Sequence, residues 1–552
     1  MPLAEALLLL LSGAAPAPAF SPRALWDAWP ERRFVATSAP CLRHAELGER
    51  LRALAAAHPG QLSLESVGRS VEGREIQLAT LGRGPRRVLL WSQMHGDEPS
   101  ATPALVDLAH DLLANDSPER RLVLERLTLL LLPMLNPDGA ERYARRNAQA
   151  VDLNRDALLL STPEGQLLKR VRDKYQPELG FNLHDQNRRT TVGDSGVRAT
   201  IALLAVAGDA ALTVTPGRAR ARRVCAALAR TLEPFAPGGI ARYDEDWNPR
   251  AFGDNLTAWG TPVVLIESGA LPAGGSFAEL TRLNYVGLLS VLHGLARDDL
   301  AGEDVSRYEK LARNSDGRFA DVILEGGRIF QAPAAEPYRA DLAFDVLAED
   351  AELAACPAPG PAGPSRIREV GDARLLAAAS RRAATERVLL PALVASVRGI
   401  DARSWLKPES LDAISRLGVA NIRWHVGGSD REEALRVAEA LAAPARTAIE
   451  VADLRDPVRA IEIRSPPVAP PSPLTLAAAL GALAHAKPSA PDAASLRERL
   501  AALTGYSGTT LLCPDARASL LLLRSRDGSV SDPATLEIEA IFLDGREVGG
   551  AR

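Results

Sequence analysis

The chain has 552 residues, roughly three to four times the usual size of one domain, so two or three folded units are expected. Its 46% hydrophobic and 24% charged content excludes a largely disordered, collagen-like or polytopic membrane protein. Net charge is −4, the arginines are spread along the chain and aromatic residues are 4%, so neither nucleic acid nor stable membrane insertion is expected.

Read from the start, residues 6–15 form a short apolar run, followed by Ala17-Pro18-Ala19. That is the pattern of an export signal with a small-residue cleavage site. Residues 1–19 are therefore expected to be a signal peptide, and the chain to be periplasmic or secreted. The run is preceded by Glu5 and by no Lys or Arg, so the alternative is a cytoplasmic chain with a surface helix there. Cys41, Cys225, Cys356 and Cys513 form no closely spaced pair, which excludes a cysteine zinc knuckle and leaves buried thiols or long-range disulfides.

Residues 20–300 alternate short apolar runs with helical spacing, the texture of an α/β domain. Val88-Leu89-Leu90-Trp91 predicts a buried strand, and Leu105, Leu108, Ala109, Leu112 and Leu113 predict the helix after it. Residues 127–135 are a further apolar run, stopped by Asn136-Pro137-Asp138-Gly139. Residues 179–183 and 263–266 predict two more strands, the second followed by a helix through Phe277, Leu280, Leu283 and Leu288. The texture then changes. Residues 306–355 are expected to form a small β-rich unit, with a hairpin turning at Gly326-Gly327. Pro-rich residues 356–365 read as a linker, and 366–552 as an accessory α/β region with a second Pro-rich break at 465–473.

Chemistry concentrates at the predicted strand ends. His95 and Glu98 follow the strand ending near Trp91, His184 follows 179–183, and Glu267 closes 263–266. In an open α/β sheet the ligand crevice lies at the carboxyl ends of the strands. Two imidazoles and a carboxylate meeting there leave one open position on a catalytic zinc ion. Taken singly, His95 and Glu98 also fit a surface turn, and Glu267 fits a helix N-terminal acid or a general base. Arg145, Arg146 and Arg155 suit a substrate carboxylate by their planar fork, and equally suit solvated or structural roles. Gly193-Asp194-Ser195-Gly196 reads as a loop. Asp254 reads as a structural acid or as an acid lining a side-chain pocket.

Five segments in this order carry a resemblance: Gly68-Arg69-Ser70-Val71-Glu72-Gly73-Arg74, Met94-His95-Gly96-Asp97-Glu98, Leu135-Asn136-Pro137-Asp138-Gly139, Asp152-Leu153-Asn154-Arg155-Asp156 and Leu265-Ile266-Glu267-Ser268-Gly269. Together they resemble the zinc metallocarboxypeptidase family, in its compact bacterial form, over about residues 45–297. The resemblance implies an α/β/α sandwich around a mixed sheet. It implies one Zn²⁺ held by His95, Glu98 and His184, with Glu267 as the base for a metal-activated water. Arg145 would stabilise the oxyanion, with Arg146 and Arg142 as alternatives. Asn154 and Arg155 would clamp the free carboxylate, Tyr243 would contact the substrate, and Asp152 would orient a ligand imidazole. The implied partner is a peptide or muropeptide with a free C-terminal carboxylate. Two other readings share these residues: an amidohydrolase acting on N-acyl amino acids or glutamylated side chains, and a non-catalytic protein that binds peptide ends.

Overall fold

The structure, a computed structural model, describes residues 20–35, 42–270, 276–329, 338–346, 366–391, 393–398, 419–426, 448–453, 460–463, 512, 518, 520–525, 536–543 and 546–550. The expected signal segment 1–19, the linker 356–365 and the break 465–473 lie outside the described residues. The described residues divide into two compact units, one ending at Arg318 and one beginning at Phe319.

The first unit is built on an eight-stranded mixed sheet in the order β1-β2-β4-β3-β5-β9-β7-β8. In chain order these are β1 (Leu62–Arg69), β2 (Glu75–Leu81), β3 (Arg86–Ser92), β4 (Leu127–Leu132), β5 (Leu179–Asp185), then β7 (Ile201–Ala205), β8 (Ile240–Arg242) and β9 (Val263–Ser268). A two-residue strand β6 (Thr191–Val192) lies outside this sheet. The four central strands, β4, β3, β5 and β9, run parallel. Buried on both faces, they read as near-continuous apolar runs, which is why they are visible in the sequence.

Alternate residues of these strands feed two cores. Val88, Leu90, Leu129 and Leu131 pack with the helices Ala101–Ala114, Pro216–Leu232 and Phe277–Arg297. Leu89, Trp91, Leu130 and Leu132 pack with Pro163–Tyr175 and Phe252–Ala258. The period of two along each strand thus separates two helical layers, giving the α/β/α sandwich with a mixed sheet. The long helix starts at a capping box, Ser276 with Glu279, and stops where Asp298 turns left-handed at φ 61°.

The N-terminal helix Pro22–Arg32 is tied to this core by one buried carboxylate. Asp107 accepts hydrogen bonds from Trp29 Nε1 (3.0 Å) and from the backbone N–H groups of Phe34 (2.9 Å) and Val35 (3.0 Å). Asp107→Ala would leave those donors unpaired, and is expected to reduce unfolding free energy by about 3 kcal/mol in a denaturant titration. A loss below about 1 kcal/mol would show that water replaces the carboxylate without penalty.

The first unit extends past the expected boundary at 300 because β10 (Asn314–Ser315) pairs antiparallel with β6. In the second unit the expected hairpin at Gly326-Gly327 is not formed. Residues Phe319–Ile329 make one continuous strand, β11, paired with β12 (Tyr338–Phe344). The glycines are a bulge: three steps from Leu324 to Gly327 oppose two from Leu342 to Ala340, with Gly326 at φ 66°. β11 and β12 share their sheet with strands from residues 366–550, so both sides of the proline-rich linker contribute to it. A four-stranded sheet from Leu393–Arg398, Val419–Val426, Ala448–Asp453 and Ala460–Ile463 completes the described part.

Candidate metal centre

Parallel pairing puts the carboxyl ends of β3, β4, β5 and β9 side by side, and the polar residues at those ends come together. His184 on β5 is the register partner of Glu267 on β9. His95 and Glu98 lie in the turn after β3, and Asn136 caps the short helix after β4. Two neighbouring backbones hold the His95 turn in place. Asn136 Nδ2 donates to Met94 O at 3.2 Å while its Oδ1 accepts from Gly139 N at 2.9 Å. A Cβ on Gly96 would meet the Gly139 carbonyl carbon at 2.0 Å, so glycine is required between the two ligand candidates. The Gly68–Arg74 motif docks here as well, since Asp138 accepts from Ser70 Oγ (2.7 Å), Glu72 N (3.0 Å) and Arg74 Nη1 (2.6 Å).

His95 Nδ1 lies 2.7 Å from Glu98 Oε1 and 3.2 Å from His184 Nδ1, and His184 Nδ1 lies 2.6 Å from Glu98 Oε2. All three side chains are buried, with one ligand atom from each within 4.8 Å of the others. His95 Nε2 donates to Asp152 Oδ1 at 3.1 Å, which turns the lone pair of Nδ1 inward. In that tautomer His95 Nδ1, together with His184 Nδ1 and the Glu98 carboxylate, can act as a donor to a cation lying among them. Tetrahedral zinc with bonds near 2.1 Å separates adjacent ligands by about 3.4 Å, near the 3.2 Å between the two nitrogens and wider than the 2.7 and 2.6 Å from those nitrogens to Glu98. The donor set therefore fits zinc.

Charge follows the same pattern. Burial alone would raise Glu98, but the charges of His184 and His95 outweigh it and hold the carboxyl below its usual range. Burial, followed by the charges of Glu98 and Asp185, pushes Glu267 well above its ordinary value. Glu267 accepts no hydrogen bond from any described residue, and it lines a cavity of about 410 Å³ with His95 and Glu98. A buried carboxylate of raised pKa beside an open position is disposed to take up a proton.

The remaining sequence candidates separate cleanly. Arg145 lines this cavity and bridges Glu98 Oε1 (3.1 Å) and Asp152 Oδ2 (3.1 Å). Arg146 is directed to Ala150 O, and Arg142 to Asp138 O and Glu72, away from the cluster. Asn154 and Arg155 also line the cavity. Asn154 Oδ1 accepts from Phe252 N at 2.9 Å, which leaves Nδ2 as the group with a proton to offer. Tyr243 lines the same wall, and the charge of Glu267, helped by burial, raises its phenol so that it stays protonated. Gly193–Gly196 forms a turn, and His44 and His110 bond backbone carbonyls.

Some lining residues were absent from the sequence reading. Asn182 sits two residues before His184 on β5, so strand alternation alone would have placed it on the same face. Asp185 holds the start of the helix Ala101–Ala114 through Ser100 N at 3.0 Å. Asn314 and Asp316 reach the cavity from beyond the expected catalytic region, and no local pattern announces them.

Residues 48–186 match the family profile described as "Zinc carboxypeptidase". That stretch holds His95, Glu98, Arg145, Asn154, Arg155 and His184, and ends before Tyr243 and Glu267. Carboxypeptidase 2 of Trichophyton rubrum is 30% identical over 145 residues, covering 24% of this chain and 27% of that protein. Carboxypeptidase D of Anas platyrhynchos is 37% identical over 142 residues, covering 18% of this chain and 10% of its own length. The chain thus spans about a quarter or less of these relatives. A metallo-carboxypeptidase from Burkholderia cenocepacia aligns over 47% of this chain and 70% of its own, with 19% identity and a TM-score of 0.39. Residues 48–186, which supply the metal cluster and the strands β3, β4 and β5, are thus similar in sequence to the zinc carboxypeptidases.

Proposed function

We propose that the chain is a zinc-dependent carboxypeptidase that removes the C-terminal amino acid of a peptide, muropeptides included. The observation that carries this reading is one cavity lined by His95 and Glu98, two members of the cluster they form with His184, together with Glu267 and the donors Asn154 and Arg155. Zinc, when bound there, supplies a Lewis acid that polarises a carbonyl and acidifies water.

The chain's own groups do the rest. The Arg155 guanidinium and Asn154 Nδ2 bind the terminal carboxylate, which restricts cleavage to the last peptide bond. Arg145 offers N–H donors to the oxyanion that develops on the scissile carbonyl. Glu267 takes a proton from the attacking water on a carboxylate oxygen and returns it to the leaving amine nitrogen. The protonated Tyr243 hydroxyl is a further donor on the wall, and Asp152 keeps His95 in the tautomer that presents Nδ1. The apolar run at 6–15 and Ala17-Pro18-Ala19 support export, which an intact mass lacking residues 1–19 would establish.

The test is hydrolysis of a benzoyl-capped dipeptide with a free or an amidated C-terminus. The free form is expected to be cleaved at least about a hundredfold faster, because the amide forfeits two charge-assisted bonds. Chelation should abolish turnover and zinc should restore it. Equal rates on the two ends, or turnover surviving verified removal of zinc, would overturn the proposal.

A further inference from the structure

The last residues of the first unit, 308–318, run back along the edge of the sheet. Tyr308 fixes the near end. It is 1% exposed, and its hydroxyl accepts from Ala205 N on β7 at 3.1 Å. β8 is a three-residue edge strand, and an edge leaves backbone groups that need a cover. Ala312 and Arg313 supply it. Arg242 N donates to Ala312 O at 2.8 Å, and Arg313 bridges Arg242 in parallel. Tyr243 follows directly, its own N–H donating to Leu203 O at 2.9 Å. The backbone that presents Tyr243 is thus held from two sides, by β7 and by the returning segment.

The same segment grips the chain that leaves the metal cluster. Gly193 N donates to Arg313 O at 2.7 Å, and β10 pairs Asn314 with Val192 and Ser315 with Thr191. A ladder this short is marginal alone, so side chains must add to it. Thr190 and Thr191 are buried, and their hydroxyls need partners. Thr190 Oγ1 donates to Asp316 Oδ1 at 2.6 Å, and Thr191 Oγ1 reaches Ser315 O at 3.3 Å. Asn314 Nδ2 donates to Gln186 Oε1 at 3.1 Å. Gln186 is fixed twice more, its Nε2 donating to Ala199 O at 3.0 Å and its backbone N–H to Ser268 O at 2.8 Å. Gln186 stands two residues after His184, and Ser268 directly follows Glu267. One short run, 312–316, therefore holds both Tyr243 and Gln186, which line the cavity. The run lies beyond the residues that match the family profile.

Resting on the carboxypeptidase reading, we propose that residues 312–316 are a clamp that sets the cavity wall for the peptide, with Asn314 as a positioning residue that acts through Gln186. The segment then belongs to the active site, although its place in the sequence is that of a connection to the second unit.

The first test is steady-state hydrolysis of the benzoyl-capped dipeptide with a free C-terminus by the full chain. Asn314→Ala is expected to raise KM at least about fivefold, the worth of one hydrogen bond, with kcat within about twofold of the unaltered value. Thr190→Val, which removes only a hydroxyl, is the second variant and should move KM in the same direction. A role in stability alone would leave KM where it was. Turnover with an unmoved KM in both variants would overturn the clamp and leave the carboxypeptidase reading standing.

Hydrogen exchange gives a readout that needs no turnover. The full chain carries Glu267→Gln and zinc, and the same peptide is added at about ten times its dissociation constant. Exchange at the Gly193 and Arg242 amides should slow by about tenfold, because a clamp that must be closed for binding is held closed by the ligand. β1, at the opposite edge of the sheet, should exchange as before. No slowing at Gly193 and Arg242, or equal slowing in β1, would overturn the proposal. Slowing confined to the clamp, in a chain whose unaltered form hydrolyses no peptide, would instead overturn the carboxypeptidase reading and leave this one standing.

Discussion

Glu267→Gln is expected to lower kcat/KM on a capped dipeptide with a free C-terminus by about a hundredfold to ten-thousandfold, the range a positioned general base contributes. The amide keeps the volume of the side chain and can still accept a hydrogen bond, but at neutral pH it cannot take up a proton. Glu267 contacts no described donor and is 8% exposed, so little of the fold depends on its charge. Zinc content and melting temperature should therefore stay at the unaltered values while turnover falls. A variant that keeps more than about a third of the activity, with zinc bound, would remove Glu267 from the proton transfer.

His184→Ala is expected to produce the complementary result, a loss of metal rather than of chemistry alone. Deleting it withdraws one of three donors and leaves Glu98 with His95, Arg145 and the Asp185 backbone N–H. Partners that merely orient a ligand typically cost 10–100-fold in metal affinity, so losing a ligand should exceed about a hundredfold. Competition with a chromophoric chelator reads the affinity directly. A melt with and without added zinc gives a second readout, because an ion that binds only the folded chain raises its stability. The zinc-dependent rise should vanish in His184→Ala and persist in Glu267→Gln. Undiminished zinc affinity in His184→Ala would place the ion elsewhere.

The parts of the first unit legible in the sequence are those whose signal is local. β3, β4, β5 and β9 are buried on both faces, so each appears as a near-continuous apolar run with polar residues gathered at its carboxyl end. His95, His184 and Glu267 stand at or just past those ends. β1 and β2 sit toward the edge with mixed burial, and their polar residues hide them. The Gly326-Gly327 pair shows how a local signal misleads. Two adjacent glycines serve a tight turn or a bulge equally well, and the choice was made by the pairing of β11 with β12 across an intact ladder.

Among the arginines, the resemblance favoured Arg145 and kept Arg146 and Arg142 as alternatives. Only the left-handed turn at Tyr143, φ 48°, and the path after it direct Arg145 to Glu98 and Asp152 while the neighbours face away. The extra acids of the cleft were less accessible still. Asp316 directly follows a two-residue strand that exists because it pairs with another two-residue strand more than a hundred positions earlier.

By itself the sequence determined residue chemistry and its order along the backbone: two imidazoles and three key carboxylates, the glycines between them, and the apolar runs that make parallel strands. Tertiary structure alone decided convergence. Strand register set His184 against Glu267, and the folding back of residues after 297 closed the cavity wall. The reason is physical. Burial and alternation are properties of neighbours in the chain, whereas a coordination sphere and a cavity belong to atoms that only packing brings within a few ångströms.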